Sequence, residues 1–412
     1  MNLELFIAKR LYGTRKGVRR ISRPAVTIAQ WGVAVGALVM FVSICIIVGF
    51  KHQVREKAIG FSGHIQVLNG EQDSNGPLPV VLERESIDKI ATIEGIENVS
   101  AYIQKPGMIV ANNEYEGIML KGVDSNYDLT FIKESLVEGN IPQFGDTAAT
   151  NEIIISRATA NRTNSKVGDK IVLYFVQGGI KARKMTIAAI YETHLTDFDN
   201  IMAVTDIYTM RRLHGWEIGE VSGIEITSDD YNKIALQRDT INEVIQALNS
   251  KNDGLLYAPT IEEMYPALFS WLEILDQTVW LILILVLCIA TFTMISGLLI
   301  LILEKSNLIG IMKAIGARNA SIRKVFIYYA MFIIGRGLFI GNAIGIAICI
   351  IQQQTGIIAI DPEMYYMDRV PIEFSWLLVP VNIAMFVLSV AIMVIPSMLI
   401  SKIEPTKAIK FE

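Results

Sequence analysis

The sequence predicts an integral membrane protein: four transmembrane α-helices, with one large α+β extracytoplasmic domain between the first and the second. Three observations carry that prediction. The chain has a mean hydropathy of +0.41 and 52% hydrophobic residues, yet 19% of its residues are charged, so the two kinds must be segregated. Four stretches, 25–50, 277–303, 325–351 and 374–400, hold no Asp, Glu, Lys, Arg or His except Arg336 in the third. Each has about 26 residues, roughly 40 Å of helix, which is enough to cross a hydrocarbon core of about 30 Å. The polar segment 51–276, by contrast, carries 20 Lys and Arg against 33 Asp and Glu, a formal charge of −13.

The elements follow in order. Segment 1–24 has seven cations, Lys9, Arg10, Arg15, Lys16, Arg19, Arg20 and Arg23, against Glu4 alone. Within it, LELFIAKRLYG sets Leu3, Phe6, Ile7 and Arg10 at helical spacing, which favours a cytoplasmic amphipathic helix in the membrane interface over a disordered basic tail. The first span, 25–50, is about twice as long as the apolar region of a signal peptide and has no convincing cleavage site, so it is expected to stay as an anchor. Loop 304–324 holds Lys305, Lys313, Arg318, Arg323 and Lys324 against Glu304, and tail 401–412 holds Lys402, Lys407 and Lys410. Loop 352–373 has one cation, Arg369, and four acids, Asp361, Glu363, Asp368 and Glu373. Cations stay inside, so both termini and 304–324 are expected in the cytoplasm, with 51–276 and 352–373 outside. Lys51, Arg55 and Lys57 oppose this assignment and are outnumbered.

Within the exported domain the pattern is α+β. HIQVL (64–68) reads as a strand, SIDKIATIEG (86–95) as a helix closed by Gly95, and NVSAYIQ (98–104) as a second strand. MIVANNEYEGIMLKGVD reads as a hairpin turning at Asn112 and Asn113. Near the other end come strand SGIEIT (222–227), helix DDYNKIALQRDTINEVIQAL and strand GLLYA (254–258). Two β-α-β units thus bracket a middle, about 129–216, that is all strand and turn: NEIIIS, KVGDKIVLYFV and ARKMTIAAIYET. The flanks KHQVREKAIG and IEEMYPALFSWLEILDQ continue helically into the first and second spans, either as rigid stalks or as simple connectors.

Several chemistries are excluded or disfavoured. The acidic balance of 51–276 argues against a nucleic-acid partner. All three cysteines (Cys45, Cys288, Cys349) sit in spans, so the exported domain has neither disulfide nor thiol chemistry and relies on its core. There is no GxxxxGK[ST] phosphate loop and no GxSxG elbow, and His52, His64, His194 and His214 are scattered without metal-ligand spacing. Asp197 and Asp199 in THLTDFDN read as a solvated turn rather than a cation loop. No catalytic residue, bound cofactor or metal is expected.

Inside the membrane, Arg336 is the one charge. It either faces protein or water, or sits near the interface because its helix begins later. Gly337, Gly341 and Gly345 recur every four residues and line one face, a stripe that favours close helix packing. Pro380 and Pro396 are expected to kink the last span.

EKSNLIGIMKAIGARNASIRKVFI resembles the E-x-x-x-x-IGI-x-KA-x-GA-x-x-x-x-I-x-x-x-F signature after the second span of ABC transporter permeases of the MacB and FtsX-like superfamily. IPSMLISKIEPTKAIKFE is similar to that superfamily's closing motif, and LFIAKRLYG with VGFKHQV resembles the lipoprotein-releasing (Lol) subunits. The resemblance implies a permease of the bacterial inner membrane, paired as a homo- or heterodimer and driven by separate cytoplasmic ABC ATPase subunits that bind ATP and Mg. It implies a porter-like exported domain with an inserted β part. It makes Gly316 to Lys324 a coupling helix, with Gly316, Ala317, Arg318, Ile322, Arg323 and Lys324 at the ATPase. It places acyl chains of a lipoprotein, bound for a periplasmic carrier, in a cavity near Phe41, Ile44, Ile47, Val48 and Phe50. Arg336 departs from that apolar pattern. An exporter of macrolides or peptides, or an FtsX-like relay to a cell-wall hydrolase, are the alternatives on the same scaffold.

Overall fold

The computed structural model describes residues 3–13, 22–73, 76–81, 83–145, 147–176, 180–249 and 255–398. The basic stretch 14–21, the tail 401–412 and most of the closing motif lie outside the described residues. The chain divides into two compact units. One comprises Met1–Lys51, Leu272–Ile358 and Arg369–Glu412; the other comprises His52–Trp271 and Ala359–Asp368.

Among the described residues, four helices are long and apolar enough to cross a membrane: Val26–Ser62, Pro266–Glu304, Asn319–Thr355 and Leu378–Ser397. The first three, with 37, 39 and 37 residues, outrun the apolar stretches that predict them. Their polar flanks hold no proline beyond the first helical turn, so the backbone continues. The first-span helix, Ser22–Ser62, stops only at Gly63, whose φ of +68° suits glycine. Beside it runs the third-span helix, and the glycine stripe is where they meet. A Cβ at Gly337 would lie 2.9 Å from the Gln30 carbonyl oxygen, one at Gly341 2.3 Å from that of Ala34, and one at Gly345 3.0 Å from the Phe41 ring. On the opposite side, a Cβ at Gly32 would lie 2.8 Å from the Thr293 side chain of the second span. Lys51, the first cation after the first apolar stretch, forms an ion pair with Asp276.

In the last span the kink expected from two prolines arises from one. The helix runs Leu378–Ile392 and is interrupted at Met393 before Val394–Ser397. Pro396 has no N–H for the Ile392 carbonyl and its ring crowds that group, so the break falls there. Pro380 lies in the first turn, where a missing N–H costs nothing. At the chain start, helix Leu3–Gly13 packs against the third-span helix with Ala8 fully buried, while Leu3 and Phe6 are exposed.

The second unit is built on a ten-stranded sheet. Its strands are β1 (Ile65–Asn69), β2 (Ile96–Ala111), β3 (Glu114–Val123), β4 (Leu136–Gly139), β5 (Glu152–Ser156), β6 (Lys170–Val176), β7 (Ile180–Tyr191), β8 (Met202–Asp206), β9 (Gly223–Ser228) and β10 (Leu256–Tyr257). The order is β10-β1-β9-β2-β3-β8-β5-β7-β4, with β6 joined to both β7 and β2. Strands β2, β3, β8, β5, β7 and β6 therefore close into a ring, which removes their free edges.

The other arm, β10-β1-β9-β2, is antiparallel throughout. Helix Arg84–Ala91 connects β1 to β2, and helix Ile234–Asn249 connects β9 to β10, the split β-α-β pattern. Ile87, Ile90, Ile241 and Ile245 from these helices join the core of β1, β2 and β9. Long strand β2 belongs to both arms: 96–102 pair with β9 and 103–111 with β3. The ring thus takes β2 and β3 from before residue 129 as well as four strands from the 129–216 segment. Asn112 and Asn113, at φ of 50° and 70°, make the tight two-residue turn between β2 and β3.

Candidate functional site

The candidate coupling segment is the connection between the second and third spans. Helix Ser306–Ala314 ends in a hydrogen-bonded cap: the Ala317 N–H donates to the Met312 carbonyl at 2.9 Å and the Gly316 N–H to that of Lys313 at 3.0 Å. That cap needs a left-handed residue, and Gly316 supplies it at φ +93°. The third-span helix then begins at Asn319. Residues 316–324 are therefore not one coupling helix. Gly316 is a stop, and 319–324 are the opening turns of a span.

The six residues assigned to coupling separate accordingly. Gly316, Arg318 and Lys324 are exposed, Ala317 and Arg323 are half-buried, and Ile322 is fully buried in the chain's own helix cluster. Its position on the third-span helix turns Ile322 toward that interior. At the apex the structure adds Ile315, 81% exposed and flanked by the turn cations. Sequence reasoning missed it because an isoleucine in an apolar run reads as core. Its place immediately before the capping glycine was the available signal.

The cavity candidates are redistributed in the same way. Phe41, Ile44 and Phe50 are buried, and Ile47 and Val48 are half-buried. Gly345 lets the third span close over Phe41, whose ring also packs 6.3 Å from that of Phe374. The face of the first span that remains open is Ile28, Trp31, Val35 and Val39, at helical spacing. Arg336 is exposed and falls in the middle of helix Asn319–Thr355, so the helix does not begin late to bring it to an interface. Nearby, Asn342 Nδ2 donates to Asn382 Oδ1 of the fourth span at 2.7 Å.

In the second unit, Asp199 is not solvated. It is buried and accepts from the Thr193 N–H at 3.0 Å and the Thr193 hydroxyl at 2.7 Å, while burial raises its carboxyl above the ordinary range. His64 is buried beside β9, its Nδ1 accepting from the Ser228 N–H at 3.1 Å; burial, with Arg55 adding to it, pushes the imidazole down to about 4. Lys121 and Glu225 form an ion pair, 4% and 6% exposed, in which burial pushes the ammonium below its usual value and Glu225 pulls it back. No sequence motif marks this pair. Among the described residues, no group of three or more His, Cys, Asp or Glu could hold a metal ion.

Four spanning helices, a large extramembrane unit inserted after the first, and an exposed basic turn after the second define a multi-pass membrane protein of the permease type. Comparison with known proteins agrees. The family descriptions "MacB-like periplasmic core domain" and "FtsX-like permease C-terminal" match residues 27–244 and 280–405. The chain belongs to this family and is an ABC transporter permease of the MacB and FtsX-like superfamily. It is 21% identical to the lipoprotein-releasing system transmembrane protein LolE of Haemophilus influenzae and 20% identical to LolC of Neisseria meningitidis serogroup B, with 92% of each chain covered in both cases. The periplasmic region of MacB from Actinobacillus actinomycetemcomitans aligns at a TM-score of 0.35 and 13% identity, over 49% of this chain and 91% of that one.

Proposed function

We propose that this chain is the permease subunit of an ATP-driven transporter that extracts lipoproteins from the inner membrane and releases them to a periplasmic carrier for sorting to the outer membrane. The observation that carries the reading is coverage: relatives named as lipoprotein-releasing proteins match over 92% of both chains, so spans and extramembrane unit correspond together. ATP and Mg act on separate cytoplasmic ATPase subunits, and the chain itself is non-catalytic. Both termini lie in the cytoplasm, a reading that the cation distribution supports.

The exposed apex Ile315, Gly316 and Arg318, with Lys324, is the docking surface for the ATPase, an apolar knob set among cations. The open first-span face, Ile28 to Val39, meets a second permease subunit and the acyl chains of the cargo. The test is depletion of the protein in its host. Lipoproteins destined for the outer membrane are expected to accumulate in the inner membrane. Normal sorting accompanied by drug sensitivity would replace this reading with macrolide or peptide export, which the MacB-like match to residues 27–244 favours. Chained or misdivided cells would replace it with a relay to a cell-wall hydrolase.

A further inference from the structure

The outer end of the first-span helix is held by charge. A helix leaves its last carbonyls without partners, and its C-terminal end favours a cation. Ser22–Ser62 has no basic residue in its own last turn. The sheet supplies the donors instead. Lys121 Nζ on β3 donates to the Phe61 carbonyl at 2.7 Å and to both oxygens of Glu225 on β9 at 2.7 and 2.8 Å. Gln66 Nε2 on β1 donates to the Ser62 carbonyl at 2.8 Å and to Glu225 Oε1 at 2.9 Å. Tyr127 accepts from Lys121 at 2.6 Å and donates to Glu225 Oε2 at 2.6 Å, and the Tyr102 hydroxyl on β2 donates to Gln66 Oε1 at 2.7 Å.

Around this network the helix end is keyed by shape. The Phe61 ring stacks on Phe198 at 4.7 Å and meets Phe131 edge-on at 5.1 Å. A Cβ at Gly60 would stand 2.3 Å from the Phe131 ring. Turning the helix about its axis would break the hydrogen bonds and the stacking together. A buried ion pair adds little stability over apolar side chains of similar size, so stability alone does not account for it; what its geometry supplies is orientation.

We propose that Lys121 and Glu225 are positioning residues that clamp the end of the first-span helix into the sheet, so that the helix terminus and strands β1, β3 and β9 move as one body. The clamp stands on its own geometry; its use in transport rests on the function proposed above.

Hydrogen exchange of the full chain in lipid nanodiscs tests the clamp, using the double variant Lys121→Met with Glu225→Gln, which leaves no unpaired buried charge. Amides 59–66 are expected to exchange at least tenfold faster, with β5 and β7 unchanged and the thermal midpoint kept within a few degrees. Exchange within twofold of the parent overturns the clamp. Should the double variant fail to fold, Tyr127→Phe carries the measurement: about threefold faster exchange at 59–66 supports the clamp, and no change overturns it. In the complex with its ATPase, ATP-driven lipoprotein release by the altered chain is expected to fall at least tenfold while ATP hydrolysis stays within twofold. Release equal to the parent's overturns the coupling role. A parent that releases no lipoprotein rejects the transport reading and leaves the exchange result standing.

Discussion

Gly341 has no room for a side chain: the Ala34 carbonyl oxygen stands 2.3 Å from where its Cβ would be. Gly341→Leu is therefore expected to separate the first and third spans, at about 1 to 3 kcal/mol for overpacking, read as a lowered thermal midpoint of the chain in detergent. Gly335→Leu makes a control, since a Cβ there meets only the Phe386 ring at 3.9 Å. His64 gives a pH dependence whose sign follows from its hydrogen bond, because only the neutral ring accepts from Ser228. Unfolded, the imidazole titrates near its ordinary 6.5; folded, it stays neutral down to about 4. Above 6.5 both states are neutral and stability is full; as pH falls from 6.5 toward 4 only the unfolded chain gains the proton, so stability is lost. The thermal midpoint of the extramembrane unit is expected to drop between pH 7.5 and 5. His64→Asn, which keeps an acceptor without the titration, should flatten part of that drop. His214, also pushed down to about 4 by burial, contributes with the same sign.

Among the elements, the helical turn 306–324 shows how one residue sets the shape of a surface. The cap at Gly316 stops one helix and frees 315–318 to form an apex before the next begins, so that Ile315 protrudes where a continuous helix would have hidden it. Ile315→Asp combined with Arg318→Glu reverses both the apolar and the electrostatic character of this apex without touching the helix cluster. ATPase stimulation in the assembled complex is expected to fall at least fivefold, with the chain's own thermal midpoint unchanged. Ile322→Ala should do the opposite. It removes a fully buried side chain, so the midpoint falls by the equivalent of about 2 to 5 kcal/mol, and stimulation per folded complex is retained.

For the molecule as a whole, the cation distribution leads us to expect the apex and the large unit on opposite sides of the membrane. Cysteines introduced one at a time can read this in a background where the exposed Cys288 is replaced by Ser and only the buried Cys45 and Cys349 remain. Ile218, 92% exposed in the extramembrane unit, becomes Ile218→Cys and is expected to react with a membrane-impermeant maleimide in spheroplasts. Ile315→Cys is expected to react only after the membrane is opened. The reverse pattern would invert the topology and remove the ATPase-docking reading.

The four spans, the cation asymmetry, the Asn112–Asn113 turn and the glycine stripe were legible from residue order alone, because each rests on local physics: apolar length, charge against a bilayer, turn conformation and helical periodicity. The sequence could not tell that β2 serves two arms or that six strands close into a ring, since strand pairing joins residues far apart in the chain. Nor could it tell that Phe41 and Ile44 turn inward, or that Lys121 meets Glu225 at the end of a helix some sixty residues before it. Only the folded chain decided those points, because burial and ionic partnership are properties of neighbours in space.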